Sequence, residues 1–366
     1  MIDIGKILKR SWHILWNYRI LWVFGFLLAI TGGGGSSSSG GSGSSYRTNN
    51  NDFNTNTNFQ TSPFWKEMTN WYNQYIAPVS LNPEKFIATF IWIGVAVLLF
   101  ILVVGALIAL VRYPSETAVI RMVDGYEQTG VKTDFRQGWK LGWNRRAFRI
   151  WVIDLLIGVP SMLLVAILLG LGVLFFFSVA KGAYALAVGG MITAIGCTFV
   201  FIFIFAILMV FLSLLRQFFV RAAALEESGI SSSFRRGWEL FKGSWKSAAL
   251  MWLVMLGIGI GYGIVGMILF LLLIPAYIIM FLPAILVAAI PAGIAFGITT
   301  IFAAGPLAWI VAAIVAIPFF FSVIFAPLTF VSGWYAIYSS SVWTLTYREI
   351  RTLEAVQPVE IPAPTA

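Results

Sequence analysis

His13 is the only histidine and Cys197 the only cysteine in 366 residues. A single histidine removes the usual general base and most transition-metal sites. A single cysteine rules out an internal disulfide and a cysteine zinc site. Cys197 lies deep in an apolar run, where a thiol is an inert core residue. His13 falls on the polar face of a helix. No paired carboxylates, nucleophile elbow, P-loop or metal-ligand spacing occurs. Gly259-x-Gly261-x-Gly263 has no flanking strand pattern and is no dinucleotide fingerprint. Gly257 and Gly261 fit close packing between membrane helices instead. Asp154 is the one acid inside an apolar run, and an intramembrane acid is a functional candidate by default. It stands five residues past Arg149, near an interface, with Arg149 or Arg146 as the expected partner. A structural ion pair is the favoured role and ion or proton coupling the alternative. The expectation is a non-enzymatic chain with no cofactor and no metal.

The elements that would position these groups are set by lipid. Charged residues make up 11% of the chain and apolar ones 59%, whereas a soluble domain carries about a quarter charged residues. So few charges can cover only the two caps of a bilayer-embedded body. Apolar runs cover residues 20–30, 86–111 and 150–179, with a fourth ending at Leu215 after a short break near Lys181 and Gly182. Residues 247–347 carry no charge. A bilayer core takes about 20 helical residues. The Ser/Gly/Asn-rich stretch 32–82 cannot bury a core and reads as a mobile extracytoplasmic loop. Within it, after Thr61, Phe64, Trp65, Trp71, Tyr72 and Tyr75 read as a segment lying among headgroups.

One motif recurs before the long apolar runs. Leu8-Lys9-Arg10-Ser11-Trp12, Phe135-Arg136-Gln137-Gly138-Trp139 and Phe234-Arg235-Arg236-Gly237-Trp238 each give an apolar residue, one or two bases, a small residue and Trp. Each unit closes on an arginine, Arg121, Arg221 or Arg348. Such an internal repeat sets the architecture. It predicts an all-α, polytopic integral membrane protein. About six transmembrane helices stand in three hairpin units, each led by a basic amphipathic interfacial helix. The units are 1–121, 132–221 and 231–348, within one membrane domain 1–347, and 349–366 reads as a disordered tail. Phe234, Trp238, Phe241 and Trp245 fall at helical spacing on one face. In the first copy Ile4, Ile7, Leu8 and Leu15 do so, with Trp12 alongside. Asp134 and Gln137 fit a capping box. Prolines at 275, 283, 291, 306, 318 and 327 punctuate this run and predict a broken or re-entrant insert at about 275–317, with eight spans as the alternative.

With six spans, both termini and both charged stretches share one side. That side carries 20 of the 24 lysines and arginines. Such asymmetry makes it cytoplasmic, in a multi-pass protein of the cell membrane. The partner expected there is the lipid bilayer, through anionic headgroups, and not nucleic acid. The headgroup residues would be Arg10, Trp12, Arg136, Trp139, Arg145, Arg146, Arg235, Arg236, Trp238 and Lys242. A soluble or membrane protein partner is left unspecified.

The stretch Arg221-Ala222-Ala223-Ala224-Leu225-Glu226 through Phe234-Arg235-Arg236-Gly237-Trp238-Glu239-Leu240, with its parallel at 121–139, resembles the membrane domain of glycerophosphoryl diester phosphodiesterases. Related bacterial and archaeal membrane domains of unknown function are similar. In that enzyme family the chemistry belongs to a separate soluble barrel. Only 18 residues follow Arg348, so the resemblance implies a non-catalytic membrane module without a substrate. The function expected is a role in membrane or lipid homeostasis, or as a membrane scaffold. The alternative is a transporter or permease component for a small or lipid-like substrate.

Overall fold

The computed structural model of the chain describes residues 2–32, 83–180, 184–226, 229–302 and 307–356, and among these it is all-helical. The helices are α1 (Ile4–Asn17), α2 (Leu21–Ile30), α3 (Pro83–Thr129), α4 (Phe135–Gly142), α5 (Arg145–Ala180), α6 (Tyr184–Leu225), α7 (Ile230–Gly243), α8 (Trp245–Leu272), α9 (Ile274–Phe302), α10 (Leu307–Ile324) and α11 (Ala326–Val356). Helices are what an apolar chain in lipid forms, because each backbone N–H and C=O is then satisfied within its own segment. Five are long and apolar enough to cross a membrane, or up to seven if the bent pairs α1–α2 and α10–α11 each make one span. The expected six lies within that range. Residues 33–82 of the predicted loop, the turn at Lys181 and Gly182, and residues 357–366 lie outside the described residues. Residues 349–356 of the predicted tail are helical, since α11 continues past Arg348 to Val356.

The chain divides into two compact units, Met1–Ser36 with Ala109–Ala366, and Ser37–Ile108. In the second, Leu102, Val103 and Leu107 are exposed on α3. The first holds the core, where Ala118, Ile120 and Val123 of α3, Phe218, Val220 and Ala223 of α6, and Ile337, Trp343 and Tyr347 of α11 are buried together.

Each short helix lies on the end of one of these three. A Cβ on Gly142 of α4 would stand 2.2 Å from the Pro114 carbonyl oxygen of α3, and one on Gly138 2.6 Å from Met122 Sδ. On α7, a Cβ on Gly237 would stand 2.6 Å from the Phe219 ring of α6. Helix α1 lies against α11, with Trp12 edge-on to Tyr338 at 6.1 Å. Helices α4 and α7 thus pack on the helix that precedes them, while α1 packs on the last helix of the chain.

The buried stripes share one register. They are Ile7, Ser11, Ile14 and Leu15 in α1, Gly138 and Gly142 in α4, and Ser233, Gly237, Leu240 and Phe241 in α7. Of the aromatic face read from spacing in α7, Phe241 is buried and Trp238 is exposed. Trp12, Trp238 and Trp245 are 56%, 46% and 56% exposed. Glycine and serine permit a backbone approach that an indole would block, so the small residue turns inward and its Trp neighbour outward. The predicted capping box is also absent: Asp134 is the N-cap of α4, but its side chain makes no cap hydrogen bond. Asp3 does cap α1, accepting from the Lys6 N–H at 3.0 Å.

Close helix packing is found at single glycines rather than at the predicted series. Helices α2 and α11 cross at Gly25 and Gly333. A Cβ on Gly25 would lie 2.5 Å from the Gly333 carbonyl oxygen and 2.5 Å from Ile337 Cδ1. Gly257, Gly261, Gly263 and Gly266 of α8 have nothing within 4 Å of such a Cβ, and Gly259 meets only the Tyr335 hydroxyl, at 3.0 Å.

Within the predicted insert at 275–317 the structure describes α9 and the first part of α10, and residues 303–306 between them lie outside the described residues. Helix α9 runs without interruption through Pro283 and Pro291. Each proline removes one donor, and with no water to compete for the freed carbonyl a bent helix is cheaper than an unwound one. Leu273 and Phe325 also separate helices, each one residue before a helix whose second position is proline, Pro275 or Pro327. The first turn tolerates proline because its N–H has no partner in the helix anyway. Helices α9 and α10 run antiparallel, with Phe296 against Trp309 at 4.6 Å near the turn and Phe281 against Phe320 at 5.5 Å toward the base. Ala284, Ala288, Ala308 and Ala312 are the buried small residues of that hairpin.

Candidate functional site

The charged side chains that matter most lie between helices near the ends of the spans. Arg216, on α6, turns its guanidinium edge to Asp154 of α5. Its Nε donates to Oδ1 at 2.5 Å and its Nη2 to Oδ2 at 2.8 Å. The same Nη2 reaches both oxygens of Glu116, on α3, at 3.1 Å. Arg112 Nη2 stands 3.6 Å from Asp154 Oδ2. One guanidinium therefore ties three helices. The Asp154 side chain is 12% exposed, that of Glu116 10% and that of Arg216 21%. Forked, charge-assisted bonds of this kind offset much of the cost of taking carboxylates out of water.

The expected partners of Asp154, Arg146 and Arg149, give way here to Arg216 and Arg112. Arg146 donates to the Ala224 carbonyl at 2.9 Å, satisfying an acceptor at the end of α6. Glu116 was hidden within a charged stretch, and Arg216 looked like the stop of an apolar run. Arg112 and Arg216 both end apolar runs, and Asp154 starts one. Matching their depths along parallel and antiparallel spans was the available signal.

A second buried arginine lies further along α6. Arg221 is 3% exposed. Its Nη1 donates to the Gln217 backbone oxygen at 3.1 Å and to Gln217 Oε1 at 2.6 Å. Its Nη2 makes a long contact, 3.4 Å, with the Ser340 carbonyl of α11.

The residues expected to meet headgroups divide into two sets. Arg10 and Arg236 are engaged by acids, Arg10 Nε by Glu127 at 2.6 Å and Arg236 Nη2 by Glu354 at 2.6 Å. The two pairs correspond. Each joins a motif arginine to the glutamate six residues past a closing arginine, Arg121 or Arg348. Burial lowers the Arg236 pKa, but Glu354 and Glu226 raise it more, so the guanidinium is held above its ordinary value. Arg235 is paired with Glu239 on its own helix. Arg136, Arg145 and Lys242 are exposed, as are Trp12 and Trp238, while Trp139 is half-buried. Trp139 stacks on Trp143 at 5.9 Å, and the two rings line an open groove with Lys140. Trp12, Trp16, Trp22 and Trp334 form a second aromatic cluster, with ring centroids between 5.2 and 5.9 Å.

Among the described residues no group of His, Cys, Asp and Glu is placed to hold a metal ion. His13 lies within hydrogen-bond distance of Asn17, one turn along its own helix. The side chain of Cys197 lies outside the described residues.

Several apolar helices, a charge-linked core near their ends and an exposed aromatic-and-basic fringe define a helical membrane protein. The chain belongs to a family of unknown function (DUF7544), whose profile matches residues 9–345. Nothing in that match links it to the membrane domains of glycerophosphoryl diester phosphodiesterases. No curated protein matches the chain. No solved structure matches it either.

Proposed function

We propose that the chain is a non-catalytic scaffold of the cell membrane, built from three repeated units whose short basic helices engage anionic headgroups on the cytoplasmic side. The observation that carries this reading is the common register of α1, α4 and α7. Each buries its small residue, while Trp12, Trp238, Arg136 and Lys242 stay outward. Indole rings prefer the membrane–water interface, and bases near an anionic leaflet contribute about 1 kcal/mol each. The correspondence of Arg10–Glu127 with Arg236–Glu354 supports the repeat. The likeness to the phosphodiesterase membrane domain belongs with this reading, since it too implies a module without chemistry.

Lipid retention tests it. The purified chain in nanodiscs of mixed phosphatidylglycerol and phosphatidylcholine should enrich phosphatidylglycerol around it. The triple substitution Arg136→Gln, Arg145→Gln, Lys242→Gln should remove that enrichment without unfolding the protein. Equal retention of both lipids by the native chain would defeat the proposal.

A transporter reading takes its support from the polar cluster of Glu116, Asp154 and Arg216 between the spans. Ion flux in proteoliposomes that is lost in Asp154→Asn at normal expression would favour it over the scaffold.

A further inference from the structure

We propose that α4 carries a site for one anionic phospholipid, with the phosphate on Lys140 and Arg136 and the glycerol region in the groove between Trp139 and Trp143. The assignment rests on the headgroup reading and narrows it from a basic face to a single built site. The three motif helices differ in what their bases have left to bind. On α1, Arg10 is paired with Glu127, and on α7 Arg235 is paired with Glu239 and Arg236 with Glu354. Helix α4 contains no acid. Its two bases, Arg136 and Lys140, are exposed and form no ion pair among the described residues. They stand four residues apart, neighbours on one helix face.

Beside Lys140 opens a groove of about 540 Å³, lined by that lysine, Trp139 and Trp143. The two indoles lie 28° from parallel with centroids 5.9 Å apart. Trp139 also stacks on the buried Phe24 of α2 at 6.4 Å, and Gly138 and Gly142 seat α4 on α3, so packing fixes the wall before a ligand arrives. The polar side-chain groups of the groove are one ammonium and two indole N–H groups, donors without an acceptor. None of them has a hydrogen-bond partner among the described residues. Such a set takes an acceptor-rich anion, and a phosphodiester supplies both oxygens and charge. The aromatic walls add a surface for glycerol and the first acyl carbons, which a free phosphate lacks. Depth agrees with a lipid. Gly142 meets the Pro114 carbonyl, two residues past Arg112, where the apolar run of α3 ends and acyl chains give way to headgroups. A choline lipid would bring a cation toward both bases.

Native mass spectrometry of the full chain in a neutral detergent tests the site, with phosphatidylglycerol and phosphatidylcholine titrated in turn. The expected result is one phosphatidylglycerol bound saturably and more tightly than phosphatidylcholine. Arg136→Gln with Lys140→Gln should weaken half-saturation by phosphatidylglycerol about thirtyfold, the scale of two bases at an anionic headgroup, and leave phosphatidylcholine unchanged. Trp143→Ala should weaken both lipids. Lys6→Gln with Lys9→Gln removes the same charge from α1 and should change neither. Equal weakening by the α1 and α4 pairs would overturn the single site and leave a headgroup contact spread over the basic face. Phosphatidylglycerol enriched in nanodiscs but bound no more tightly than phosphatidylcholine in detergent would overturn it in the same way. Glycerol 1-phosphate and inorganic phosphate are the remaining arms. Displacement of phosphatidylglycerol by either at comparable concentration would make this a free-anion site and overturn the lipid assignment.

Discussion

Replacing Gly25 with alanine should unseat α2 from α11. The added Cβ would lie 2.5 Å from the Gly333 carbonyl oxygen and 2.5 to 2.6 Å from two atoms of Ile337. The reverse approach is equally tight, since a Cβ on Gly333 would stand 2.8 Å from Gly25 C and 2.9 Å from Phe26 N. Backbone obstructs backbone, so no rotamer change relieves the contact and the helices must separate. Overpacking costs about 1–3 kcal/mol, and a backbone obstacle belongs at the upper end, about 3 kcal/mol. Alanine returns about 1 kcal/mol of helix propensity, which leaves a net loss of about 2 kcal/mol. Gly257→Ala supplies the control. Nothing lies within 4 Å of its Cβ, so only the propensity gain of up to about 1 kcal/mol remains. Heating both variants in detergent and measuring the monodisperse fraction by size exclusion should rank them Gly257→Ala at or above the native chain, and Gly25→Ala clearly below. Adding Ile337→Ala to Gly25→Ala should not rescue it, because the Gly333 oxygen stays in place. Equal stability of Gly25→Ala and the native chain would refute the packing argument.

Arg216→Gln strands Asp154 and Glu116 together and should cost about 3–5 kcal/mol, the range for removing one partner of a buried ion pair; the same detergent melt reads it. Asp154→Asn keeps a hydrogen-bonding side chain against Arg216 and should lose clearly less, so a larger loss than in Arg216→Gln would contradict the clamp. Arg10→Gln breaks a pair whose arginine is 44% exposed and should shift stability by no more than about 1 kcal/mol. Gly142→Ala places a Cβ 2.2 Å from the Pro114 oxygen, and should loosen α4 enough to expose its backbone amides to faster hydrogen exchange. Gly243→Ala, with nothing within 4 Å, should leave exchange unchanged.

The all-helical character and the apolar spans were legible because apolar runs are local signals. Which side of each short helix faces inward was not. Spacing put the aromatics on one face without saying what that face meets, and the deciding factor was how closely Gly138 and Gly237 let one backbone approach another. The helix breaks were half legible. The prolines were read only as interruptions; Pro275 and Pro327 stand at helix starts, but Pro283 and Pro291 sit within one continuous helix, since proline alone does not say whether a helix bends, starts or ends. The Asp154 cluster was least legible. Arg216 and Glu116 are separated by 100 residues, and only the register of the packed spans brings them to one depth. The glycine series of α8 misled for the same reason: small residues allow close packing, but the facing helix decides whether it happens.

Thiol labelling tests the proposed common cytoplasmic face most directly. In a Cys197→Ala background, single substitutions Lys9→Cys, Lys140→Cys, Lys242→Cys and Arg351→Cys are probed with a membrane-impermeant reagent in right-side-out and inverted vesicles, with Asn56→Cys as the opposite marker. All four should label only in inverted vesicles, and Asn56→Cys only in right-side-out ones. Labelling of Lys140→Cys or Lys242→Cys from the outside, with Lys9→Cys labelled from within, would contradict a single basic face and the three-unit arrangement built on it.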